Sequence, residues 1–297
     1  MQAPDTASIR HTATRYRSMH TSRSWLAMAS CIGISQPLAA DEYTFTLYDT
    51  ERNRQIPVAI YSPAAGPVRG VVLFNHGYNR NKDGSYRAYT YLTRLLAQHG
   101  YYVASIQHEL PGDDLLAMSG DLYRERMPNW QRGVGNVLHV HETLRRLQPG
   151  LPWHNTILIG HSNGGDTALL TAATHPGLAG TVITLDHLRH PIPRTSSPRI
   201  HTLRASDTKA DPGVIPTEEE LRRHRIGIIQ LENMRHGDMD DKGTPEQHAQ
   251  INSAVLGILH QTNHEPIESQ TSAAPPNAGS NPPPQNRANP KLDPTRN

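Results

Sequence analysis

Residues 156–173 constrain this chain more than any other stretch. Ile157-Leu158-Ile159 is short, apolar and β-branched, as a buried parallel strand would be. Gly160-His161-Ser162-Asn163-Gly164-Gly165 follows, and Asp166 to Ala173 is an Ala/Leu-rich segment suited to a helix. Gly-x-Ser-x-Gly between a strand and a helix is a nucleophile elbow, which holds a serine at the apex of a sharp turn. Such a turn strains the serine backbone, and side chains at Gly160 or Gly164 would collide with neighbouring elements. The helix that follows aims its first N–H groups and its dipole at the apex, where an oxyanion would form. The alternative is a Gly/Ser-rich loop without chemistry; the flanking strand and helix favour a nucleophile.

The two ends of the chain differ from its middle. The first 40 residues carry Arg10, Arg15, Arg17 and Arg23, then an apolar stretch from Trp25 to Ser35, then Gln36-Pro37-Leu38-Ala39-Ala40. This is the order of a secretory signal, with cleavage expected after Ala40 and a periplasmic or secreted destination. The apolar stretch is too short to span a bilayer, so no stable membrane insertion is expected. Residues 261–297 hold Pro275-Pro276, Pro282-Pro283-Pro284, Pro290 and Pro294 among Ser, Asn and Ala, and read as a disordered tail. Residues 41–260 remain as one domain. Hydrophobic residues make up only 36% of the 297 and aromatics 5%, which the two ends partly explain. A formal net charge of +2 gives no reason to expect nucleic acid. The single cysteine, Cys31, excludes an internal disulfide and a cysteine-based zinc site.

Within the domain, strands alternate with helices. Tyr43–Leu47 and Gln55–Tyr61 read as an antiparallel lead-in pair. Gly70–Phe74, Tyr102–Ile106, Ile157–Ile159, Thr181–Leu185, Arg199–Arg204 and Ile226–Gln230 follow as strands. Tyr86–Gln98, Asn129–Leu147, the segment after the elbow, Glu218–His224 and Glu246–His260 read as helices. Such alternation predicts an α/β protein with a mainly parallel sheet covered on both faces, and a site at the carboxyl ends of its strands. Leu110–Trp130 is a long insertion after a strand, expected to line or cover the pocket. Its Met118, Leu122, Tyr123 and Met127 suggest an apolar acyl site.

A serine nucleophile needs a base, expected to be a late histidine held by a carboxylate. His236 fits, in the loop between the last strand and the last helix. His161 adjoins Ser162 but must point away from it, and is expected beneath the elbow. Two backbone N–H groups should form an oxyanion hole: that of Asn163, directly after the serine, and that of Tyr78 in Asn75-His76-Gly77-Tyr78. Three aspartates qualify as the acid: Asp186, Asp207 and Asp211. Spacing alone does not choose among them.

Taken together, Asn75-His76-Gly77, Val103-Ala104-Ser105-Ile106-Gln107-His108, the elbow and Thr184-Leu185-Asp186 resemble an α/β-hydrolase. Within that fold they resemble the platelet-activating-factor acetylhydrolase and chlorophyllase branch, over about residues 70–241. The resemblance implies an acid directly after the strand that follows the elbow helix, hence Asp186. Asp207 or Asp211 would match the placement in more distant hydrolases. The expected activity is that of a serine hydrolase cleaving a small-molecule or lipid-like ester through an acyl-enzyme, with no cofactor. Two other readings are a non-catalytic binding protein of the same fold and a metal-assisted hydrolase built on His236, Asp238 and Asp240. His139 and His141, two apart on a helix, have the wrong spacing for a shared metal.

Overall fold

The computed structural model describes residues 41–264. The expected leader, with Cys31, and the Pro-rich segment beyond residue 264 lie outside the described residues. Eight strands form one sheet in the order β1-β2-β4-β3-β5-β6-β7-β8. β1 (Asp41–Asp49) and β2 (Arg54–Ser62) pair antiparallel, and β2 pairs antiparallel with β4 (Tyr101–Ile106). From there β3 (Gly70–Asn75), β5 (Thr156–His161), β6 (Thr181–Leu185), β7 (Arg199–Arg204) and β8 (Gly227–Gln230) are all parallel. This is the α/β-hydrolase fold.

Alternation along the strands builds two cores. Val72, Phe74, Ile157 and Ile159 face one side, where α1 (Thr90–Gln98) and α5 (Pro245–His264) supply Leu92, Leu96, Ile251, Val255 and Leu259. Val71, Leu73 and Leu158 face the other, against Val137, Val140 and Leu144 of α2 (Leu122–Leu147) and Ala168 and Leu169 of α3 (Asn163–Thr174). β3, β4 and β5 are buried along their whole length, because helices cover both faces. The chain order reverses at β3, with β4 on one side of it and β5 on the other. Such a reversal opens a crevice at the carboxyl ends of the strands.

Three helices differ from the sequence expectation. The predicted helix from Tyr86 is a short 3₁₀ turn, Ser85–Arg87, followed by α1. Ser105 Oγ donates to the Tyr86 carbonyl at 2.6 Å, the oxygen that a continuous helix would offer to Thr90. α2 starts seven residues before the expected Asn129. Asp121 caps it, accepting from the Arg124 N–H at 3.3 Å, and Pro128 sits inside. The missing Pro128 N–H leaves the Arg124 carbonyl without its helical donor. α5 runs to His264, past the expected end at His260. α4 (Glu218–His224) is bounded by a capping box between Thr217 and Glu220.

Candidate active site

β5 ends at His161 and α3 begins at Asn163, so Ser162 alone makes the turn. Its φ of 51° and ψ of −121° lie outside the regions favoured by residues with a side chain. Close packing holds it there. A Cβ on Gly160 would lie 2.3 Å from the Gly164 carbonyl oxygen, and one on Gly164 would lie 2.2 Å from that of Asn75. The elbow can therefore sit directly against the end of β3 only with glycine at both positions.

The turn sets Ser162 Oγ 3.0 Å from His236 Nε2. His236 Nδ1–H donates to Asp186 Oδ2 at 2.6 Å, which leaves Nε2 as the acceptor for the serine hydroxyl. Asp186 stands directly after β6, at a φ of 49° that aspartate tolerates better than most residues. Burial works against its charge. The His236 hydrogen bond, the Arg204 guanidinium at 2.9 Å, Thr208 Oγ1 and the Ala205 N–H together outweigh burial and hold the carboxyl down at about 2. Asp186 is thus a fixed anion at neutral pH.

The other two aspartates turn elsewhere. Asp207 accepts from the backbone N–H of His236 at 2.7 Å and so positions the loop, while the ring goes to Asp186. Asp211 pairs with Arg189. The residues beside His236 also have other partners. Asp238 accepts from Gln247 Nε2 at 3.0 Å, and Asp240 pairs with Lys242. Among the described residues no group of three His, Cys, Asp or Glu side chains is arranged to hold a metal ion.

His161 lies beneath the elbow and links two parts of the site. The Gly77 N–H donates to Tyr89 Oη at 3.0 Å, and Tyr89 Oη lies 2.8 Å from His161 Nδ1. His161 Nε2–H donates to the carbonyl of His236 at 3.1 Å. Burial, reinforced by the neighbouring His236, pushes His161 down to about 3, so it stays neutral. A Cβ on Gly77 would come within 2.6 Å of His161 Nδ1, which accounts for glycine there. Tyr78 and Asn163 follow the ends of the adjacent strands β3 and β5. Among the described residues neither amide N–H finds a backbone acceptor.

The Asn163 side chain has its own anchorage, which sequence reasoning missed. Its Nδ2 donates to Glu109 Oε1 at 3.1 Å and to Asn129 Oδ1 at 2.8 Å, and its Oδ1 accepts from Trp130 Nε1 at 2.7 Å. The fully buried Trp130 ties α2 to the elbow. Of the four residues expected to form an apolar acyl site, Met118 is 73% and Tyr123 40% exposed, whereas Met127 packs with Trp130. Arg204 and Thr208 were also missed. An arginine ending a buried strand was the only sign of the former.

Comparison with known proteins agrees with this architecture. Residues 66–188 match the family described as serine aminopeptidase, S33, a span containing Tyr78, Ser162, Asn163 and Asp186 but not His236. No curated protein matches the sequence. Among solved structures, the chain is similar to a dienelactone hydrolase-like promiscuous phosphotriesterase from metagenomic libraries. The identity is 17% and the TM-score 0.57, over 75% of this chain and 98% of that one. It is also similar to brefeldin A esterase, a bacterial homologue of human hormone-sensitive lipase, at 14% identity and TM-score 0.57 over 80% of this chain and 81% of that one. A third likeness is to Thermogutta terrifontis esterase 2 phosphorylated by paraoxon, at 13% identity and TM-score 0.54 over 76% and 95%. At these identities the likeness defines the fold.

Proposed function

We propose that the protein is a serine hydrolase that cleaves carboxylic esters with Ser162, His236 and Asp186. The observation that carries this reading is the continuous hydrogen-bonded line from Ser162 Oγ through His236 to Asp186, at 3.0 and 2.6 Å. Ser162 Oγ attacks the carbonyl carbon as His236 Nε2 takes its proton. The N–H groups of Tyr78 and Asn163 receive the oxyanion. The tetrahedral adduct collapses, His236 returns the proton to the leaving alcohol, and the acyl group stays on Ser162. Water, deprotonated by His236, then frees the acid and restores the serine. Asp186 keeps the His236 ring in one tautomer and stabilises the imidazolium formed in each half.

Placement of the acid after the strand that follows the elbow helix supports the finer resemblance to the platelet-activating-factor acetylhydrolase and chlorophyllase branch. Cleavage of an amide is the second reading, favoured by the match to the serine aminopeptidase family. Export is proposed on the leader-like order of residues 1–40 alone, and N-terminal sequencing of exported protein checks it.

A fluorophosphonate probe tests the catalytic reading. It should label the wild type and leave Ser162→Ala unlabelled. Equal labelling of both would remove Ser162 as the nucleophile. A panel of para-nitrophenyl esters and aminoacyl anilides then separates ester from amide cleavage by kcat/KM.

A further inference from the structure

Arg126 stands apart from the other well-buried arginines of the described residues. Arg54 pairs with Asp113, Arg189 with Asp211 and Arg204 with Asp186, each within 4 Å of a carboxylate. Arg126 is only 9% exposed, yet no described carboxylate lies within that distance. Its Nε donates to the Ala117 carbonyl at 2.9 Å, and Nη2 reaches only the Met118 sulfur at 3.6 Å. Nη1 has no partner among the described residues and is not sealed from solvent. A guanidinium this largely buried, with no carboxylate beside it, is costly unless something arrives to meet it.

Two short chains of contacts link Arg126 to the residues on either side of the elbow. Asn163, next to Ser162, bonds Trp130 through Oδ1. Arg126 lies one turn before Trp130 on α2, about 6 Å along the axis. Arg126 holds Ala117, and the neighbouring Leu116 N–H donates to Tyr78 Oη at 3.1 Å. Tyr78 supplies the other proposed oxyanion donor. Arg126 is thus joined, through Trp130 and through the Ala117–Leu116 turn, to both residues proposed to receive the oxyanion. Arg189, Asp166 and Asp211 are the other charged groups whose fields reach it.

We propose that Arg126 binds a carboxylate carried by the substrate, a few bonds from the scissile carbonyl, so that the enzyme prefers monoanionic esters to neutral ones. The inference rests on the serine esterase reading. A guanidinium matches a carboxylate through paired N–H donors, and Nη1 keeps both of its N–H groups for this purpose. One unpaired guanidinium suits a monoanion better than a dianionic phosphate.

The test compares para-nitrophenyl hydrogen glutarate with para-nitrophenyl pentanoate, in the wild type, Arg126→Gln and Arg126→Lys. The wild type should show a KM for the glutarate ester about tenfold or more below that for the pentanoate. Arg126→Gln should raise the glutarate KM by about tenfold to a hundredfold, with kcat and the pentanoate kinetics nearly unchanged. Arg126→Lys should keep part of the preference, and added salt should weaken it. Turnover of the pentanoate without preference for the glutarate would overturn the inference and leave the esterase reading standing. Equal losses on both esters in Arg126→Gln would also overturn it, since Arg126 would then only hold the Ala117 turn. If neither ester is cleaved and Ser162 takes no fluorophosphonate, both readings fall.

Discussion

Asp186 and Asp207 both touch His236, but at different atoms. Asp186 meets the ring and Asp207 the backbone N–H. In the proposed mechanism, replacing the first with asparagine removes the charge that stabilises an imidazolium, so Asp186→Asn should lower kcat by roughly 10⁴. Asp207→Asn keeps an oxygen acceptor for the N–H, and Asp211→Asn touches only Arg189; each should cost less than about tenfold. Kinetics on the three folded variants checks this, and a large loss in Asp207→Asn alone would move the acid. Tyr89 is the second residue to probe. Its hydroxyl joins the Gly77 N–H to His161, so Tyr89→Phe leaves a buried donor and a buried acceptor unpaired. It should lose about 1–3 kcal/mol of stability in urea titration. Unchanged stability would show that water replaces the hydroxyl.

Among the elements, the tightest constraint is the contact between the elbow and the end of β3. A methyl group at Gly164 would meet the carbonyl oxygens of Asn75 and His76 at 2.2 and 2.4 Å, both of them backbone. No side chain can rotate out of the way, so either β3 or α3 must shift. Gly164→Ala should destabilise the fold by about 1–3 kcal/mol and reduce turnover further than that loss explains, because both proposed oxyanion donors flank this contact. Thermal melting with kinetics below the transition would show it; wild-type kcat in the variant would mean that the donors do not depend on the contact. α4 provides the contrast. Its Thr217–Glu220 capping box shares no hydrogen bond with Ser162, His236 or Asp186 among the described residues. Thr217→Ala should cost about 1 kcal/mol of stability and leave kcat unaltered.

At the scale of the molecule, two buried aspartates give opposite dependences on pH. Asp186 is held at about 2, below its ordinary 3.8, so its contribution to stability is complete above about pH 4 and fades as the pH falls toward 2. Asp166, in the first turn of α3, is pushed up to about 7 by burial, despite accepting the N–H groups of Arg189 and His190. The folded state binds its proton more tightly than the unfolded chain does. Stability from Asp166 is therefore complete below about pH 4 and is lost as the pH rises to 7. Asp166→Asn retains an oxygen acceptor for both N–H groups and cannot ionise. Its melting temperature relative to the wild type should be higher at pH 8 than at pH 4. A difference independent of pH would show that the Asp166 carboxylate is well solvated.

Much of the framework was legible in the chain because it is local. A three-residue apolar run, a glycine-flanked serine and an Ala/Leu-rich segment define the strand, turn and helix at Ser162 with no help from distant residues. The apolar periods marked all eight strands, since each must bury its own side chains. Helix limits were less legible where a distant atom intervenes, as Ser105 does at Tyr86. Asp186, Asp207 and Asp211 illustrate the remainder. All three follow neighbouring parallel strands, so their chain positions are nearly equivalent. Only through-space geometry decides that one meets the His236 ring, one its backbone and one Arg189. The unpaired Arg126 was hidden for the same reason. The pattern of α2 says which face is apolar, but whether a carboxylate from another loop meets a given arginine depends on how the elements pack.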